Sequence, residues 1–111
     1  MTVRLSADTR IQAGVSLHPS HDKLCMMMNE NEEDLLKEVK CPQAFFTALQ
    51  DGPSTKEGGL GKTVLGDFLE VVDFPDMSHG WSVHGDLSEP HVERDVKRVF
   101  NLTLAFFKKY L

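Results

Sequence analysis

Apolar residues fall into three short runs set between polar, glycine- and proline-rich stretches, followed by one long run at helical spacing. Gln12–His18 (QAGVSLH) is short, apolar and ends in a loop, His18-Pro19-Ser20-His21, which suits a buried strand. Asn29 then precedes Glu32, Glu33 and Asp34. Leu35, Leu36 and Val39 lie at helical spacing, Lys37 and Lys40 come late, and Pro42 is the stop, so cap, dipole and breaker together predict a helix. Gln43–Leu49 (QAFFTAL), between Pro42 and the turn-forming Asp51-Gly52-Pro53-Ser54, predicts a second strand. Gly58-Gly59-Leu60-Gly61 leads into Lys62–Asp67, a short helix or an irregular crossover, and Phe68–Phe74 (FLEVVDF), stopped by Pro75, predicts a third strand. After a long loop, Asp76–Ser88, the positions Val92, Val96, Val99, Thr103, Phe106 and Tyr110 recur at helical spacing. Glu93 and Lys97 are set to pair on the outer face of that last helix.

This order is that of parallel βαβ units with right-handed crossovers: an α/β chain with about three parallel strands and flanking helices. Chemistry in such sheets collects at the carboxyl ends of the strands. The loops His18–Asp22, Asp51–Ser54 and Asp76–Asp86 are therefore expected to bring their polar residues to one rim.

Composition narrows the picture. The 111 residues suit one domain, and 41% hydrophobic with 26% charged residues is ordinary for a globular chain. A formal net charge of −5 argues against nucleic acid as a partner, because phosphate contacts need clustered Lys and Arg. No apolar run is long enough to span a bilayer, and Met1–Arg10 lacks the apolar centre of a signal peptide, so no membrane partner and a cytoplasmic location are expected. Cys25 and Cys41 have neither metal-ligand nor disulfide-framework spacing and read as reduced thiols.

In Asp76-Met77-Ser78-His79-Gly80-Trp81, a histidine follows a strand and is flanked by glycine and an aromatic residue, a setting for a general base on a tight turn. Asp51 lies just past the preceding strand, and the order Asp then His matches the last two members of an α/β-hydrolase triad. There the carboxylate accepts the imidazole N–H, fixes its tautomer and stabilises the imidazolium. The plainer alternative is a turn aspartate and a surface histidine. Gly61-Lys62-Thr63 fails as a phosphate loop, because the glycine expected five residues earlier is Lys56. His18, His21 and Asp22 lack a third histidine at ligand spacing and are expected to be polar loop residues, with no metal bound. Met26-Met27-Met28 is expected to fill core gaps or pack under a neighbouring helix. Trp81 either walls the site or packs against the last helix.

Asp73–Leu111 (DFPDMSHGWSVHGDLSEPHVERDVKRVFNLTLAFFKKYL) resembles the C-terminal end of the dienelactone hydrolase family of the α/β-hydrolase superfamily. The likeness extends back through Ile11–His21 (IQAGVSLHPSH) and Cys41–Asp51 (CPQAFFTALQD). It implies a partial α/β-hydrolase fold, residues 1–111 being the C-terminal portion of such a domain. His79 is then the triad histidine and Asp51 the triad acid, with Trp81, His84 and His18 as substrate contacts, a small ester or lactone as substrate, and no cofactor.

Two departures stand out. The family nucleophile, usually a cysteine, sits on a G-x-C-x-G elbow upstream of the first strand found here, and this sequence has none; Cys25 and Cys41 lack the flanking glycines. Relatives often carry an arginine a few residues after the His-Gly-aromatic turn, where this chain has His84. The expectation is thus a truncated hydrolase, inactive alone. Its open sheet edge would be covered by a second copy in a homo-oligomer, or by a separate N-terminal half that completes the hydrolase. The alternative is a non-catalytic interaction module, or a dimer, that uses the exposed sheet edge.

Overall fold

The computed structural model describes residues 2–111, so of the opening Met1–Arg10 stretch only Met1 lies outside it. Three strands, β1 (Gly14–Leu17), β2 (Gln43–Ala48) and β3 (Leu69–Phe74), form one parallel sheet in the order β1-β2-β3. Ala44 pairs with Val15 on one side and Glu70 on the other, and Phe46 with Leu17 and Val72. The expected α/β architecture is present, and each strand lies inside its predicted run.

The central strand shows why the sheet has two covered faces. All six residues of β2 are buried, and their side chains alternate. Ala44, Phe46 and Ala48 join Phe74, Met77, Trp81, Val99 and Phe106 beneath the long helix α6 (Pro90–Tyr110). Phe45 faces the other way and packs with Leu69, Leu35, Leu36, Val39, Cys25 and Val3. That second layer consists of α1 (Thr2–Leu5), α2 (His21–Met27), α3 (Glu32–Lys37) and α4 (Leu60–Leu65). A single turn, α5 (Trp81–His84), precedes α6.

Local chemistry accounts for the helix ends, with some shifts from expectation. Asn31, not Asn29, caps α3: its side chain accepts the Asp34 N–H at 3.0 Å, while Asn29 takes a left-handed turn at φ 53°. The helix stops at Lys37, well before Pro42, because Val39 turns in to join the core. The glycine-rich crossover contains α4, and Glu93 does hold Lys97 at 2.7 Å on α6.

Three short helices lie outside the predicted elements: α1 occupies a stretch to which no element was assigned, α2 starts in the expected loop His18–Asp22, and α5 falls in the expected loop Asp76–Ser88. Each is fixed by one buried side chain, Val3, Cys25 and Trp81 respectively, and not by its own periodicity. The methionines correct another expectation: Met26 and Met27 are 81% and 84% exposed at the end of α2, and fill no core gap. Both cysteines are free and buried, and burial pushes the Cys25 thiol up from its ordinary pKa. Among the described residues no helix is long and apolar enough to cross a membrane.

Candidate functional site

The rim at the carboxyl ends of β2 and β3 is assembled by backbone bonds between the loops that leave them. The chain turns after β2 with Asp51 N–H donating to the Ala48 carbonyl at 3.2 Å. The Asp51 carboxylate folds back so that its Oδ2 accepts the Ala48 N–H at 2.7 Å. After β3, Met77 plugs the core, and its carbonyl accepts the Leu49 N–H at 2.8 Å, which ties one loop to the other. The Gln50 side chain accepts the His79 backbone N–H at 2.9 Å. Gly80, at φ 87°, then turns the chain into α5, a conformation that favours glycine.

These contacts bring the Nδ1 of His79 to 2.7 Å from Asp51 Oδ1. The Asp51 side chain is 1% exposed and the His79 side chain 47%. One carboxylate oxygen holds the loop and the other holds the imidazole. With Nδ1 bonded to Asp51, the Nε2 of His79 is left for proton transfer at the half-exposed edge of the ring.

His18 stands beside this pair. Just beyond β1 it adopts φ 41°, its backbone N–H donates to the Phe46 carbonyl at 2.7 Å, and its ring lies edge-on to His79 with centroids 4.9 Å apart. Its Nε2 is 2.7 Å from Ser82 Oγ. Burial lowers the pKa of His18, and the nearby charge of His79 acts in the same direction, against the attraction of Asp51. Trp81 packs in the core with Val99 and Phe106 of α6 and lies 5.0 Å from Phe74 between centroids, while its ring also meets that of His18 at 5.5 Å. His84, at the end of α5, shares with His79, Gly80 and Trp81 the wall of a cleft of about 220 Å³. Asp51, His79, His18, Trp81 and His84 therefore converge on one rim.

His21 does not join them. It opens α2 and turns inward, its Nε2 3.1 Å from Glu32 Oε1 and its ring 5.3 Å from that of Phe45. The expected polar loop histidine is instead a core residue, 7% exposed at its side chain, with both ring nitrogens buried and without a hydrogen-bond partner. Burial lowers its pKa, against the charges of Glu32 and Asp22. Asp22 presses on Gly52, where a Cβ would overlap its carboxylate. Among the described residues, no three His, Cys, Asp or Glu side chains converge as metal ligands.

Two contributors were not foreseen. Gln50 and Ser82 carry no motif, and each reaches its partner across a separation that only the parallel sheet closes: Gln50 to His79, and Ser82 to His18. A second cleft, of about 310 Å³, runs along β1 and is lined by Val15, Leu17, His18, His21 and Leu24. On that side β1 has no strand beside it among the described residues.

The chain is similar to a hydrolase. This relative, hydrolase tropI of Talaromyces stipitatus, is 28% identical over an alignment of 111 positions that takes in 92% of this chain and 38% of the relative. The chain thus spans less than two fifths of that protein's length. No family model and no solved structure matches it.

Proposed function

We propose that this chain supplies the acid and base of an ester or lactone hydrolase of the dienelactone hydrolase kind. The cysteine nucleophile would be carried by a strand that adds to the free edge of β1. The observation that carries the reading is the 2.7 Å contact between His79 and a fully buried Asp51 at the ends of adjacent parallel strands. Likeness to a hydrolase supports it, as does the open edge of β1 beside His18, where an added parallel strand would end close to His79.

In the completed site the nucleophile thiol gives its proton to His79 Nε2 and its sulfur attacks the substrate carbonyl. His79 then returns the proton to the alcohol oxygen as the C–O bond breaks, leaving a thioester. Water next attacks the thioester, losing a proton to His79, which passes it to the departing sulfur. Asp51 keeps Nδ1 protonated throughout and offsets the charge that His79 gains. Trp81 and His84 bound the acyl group, and an imidazole would grip a substrate carboxylate less firmly than the fixed, forked charge of an arginine at that place.

The test is a p-nitrophenyl acetate assay on the chain co-expressed with the nucleophile-bearing N-terminal portion of a dienelactone-hydrolase-like protein. Turnover that falls at least about 1,000-fold on His79→Ala supports the proposal. A stable complex without turnover would favour the reading of the β1 edge as a non-catalytic docking surface.

A further inference from the structure

The contact between His18 and Ser82 is not used by the reading above. The hydroxyl and the imidazole come from opposite ends of the chain, yet Ser82 Oγ lies 2.7 Å from His18 Nε2, within the range of a nucleophile paired with its base. The histidine is held on its backbone side, where its N–H donates to the Phe46 carbonyl, and on its ring side by the edges of Trp81 and His79. With the Ser82 hydroxyl donating across this contact, Nε2 is the acceptor and the neutral ring carries its own proton on Nδ1. Half-burial favours the neutral ring, the form a base requires. Ser82 itself is half-buried on α5, directly after the turn at Gly80.

We propose that Ser82 is a nucleophile and His18 its general base, a second acyl-accepting site that takes carboxylic esters with good leaving groups. Ser82 Oγ bonds to the ester carbonyl carbon while its proton passes to His18 Nε2. The proton then goes to the leaving alcohol as the original C–O bond breaks, and Ser82 is left acylated. Water attacks the acyl carbon, its proton taken by His18. The acid departs as the serine C–O bond breaks, and the proton returns to Ser82.

This site needs no group from outside the chain and stands apart from the function proposed above. The experiment treats the 111-residue chain alone with an alkyl fluorophosphonate and maps the adducts by mass spectrometry over time. The expected result is an adduct on Ser82 that forms about 100-fold faster than any on Ser78 or Ser88 of the same protein, and about 100-fold more slowly in His18→Gln. The comparison among serines needs no variant, so it holds even if His18→Gln fails to fold. Labelling of Ser82 no faster than that of the other serines, or undiminished in a folded His18→Gln, would overturn the proposal. It would leave the Asp51–His79 reading untouched, because turnover in the completed hydrolase is read at a different nucleophile.

Discussion

Two imidazole–carboxylate pairs sit on this sheet in opposite settings. In the pair at the rim the acid is hidden and the base is open: Asp51 is fully buried with both oxygens bonded, while His79 is half-exposed. In the pair beneath α2 and α3 the base is hidden: His21 is buried, its nitrogens lack aligned partners, and Glu32, 17% exposed, lies nearer to water. A buried carboxylate with satisfied oxygens can orient an imidazole and remain charged. A buried imidazole without an aligned hydrogen bond has its charged form penalised. The same combination of imidazole and carboxylate therefore leaves an oriented, open ring in one place and a packing element in the other.

The comparison breaks most easily on catalysis. In the completed hydrolase, His79→Ala is expected to lower kcat/KM at least about 1,000-fold, whereas His21→Leu changes it less than about threefold; comparable losses from the two would erase the distinction. On stability the next effect falls at Asp51. Asp51→Ala removes the acceptor of the buried Ala48 N–H as well as the imidazole partner, and is expected to cost about 1–3 kcal/mol in chemical denaturation.

Acid provides a third difference. His21 and His18 have pKa values lowered in the fold, while in the unfolded chain they titrate near the ordinary 6.5. As pH falls below about 6.5 the unfolded chain binds more protons than the folded one, so stability drops; above it both states are deprotonated and the contribution is constant. The midpoint of urea unfolding should therefore fall on mild acidification, and fall less in His21→Leu. The smallest effect belongs to the exposed pair His91–Glu89, whose 3.9 Å separation on the surface predicts that His91→Ala shifts stability by less than about 0.5 kcal/mol.

The contrast also marks what the sequence made legible. The strands were readable because proline and turn residues bound each apolar run. The long helix was readable because its spacing persists over five turns. Asp51 and His79 were readable as a pair because both follow strands of one parallel sheet, whose geometry brings successive strand ends together. The inward turn of His21 was not: Ser20 stands at the N-cap of α2 and Asp22 in its first turn, but the Ser20 side chain makes no capping bond and the seven-residue helix rests on one buried side chain, Cys25. The exposure of Met26 and Met27 follows from the same unseen helix, which spends its one buried position on Cys25. Gln50 and Ser82 were invisible for a different reason: a single hydrogen bond across a fold leaves no pattern along the chain.

The claim beneath the functional reading is that Asp51 holds the proton of His79 on Nδ1 and leaves Nε2 bare. Long-range proton–nitrogen correlation spectra of the histidine-labelled chain at neutral pH measure this directly. The predicted result is a His79 ring whose neutral form is the Nδ1–H tautomer in wild type, and which reverts to the common Nε2–H tautomer in Asp51→Ala. A His79 that carries its proton on Nε2 in wild type, or whose spectrum is the same with and without the Asp51 carboxylate, would contradict it.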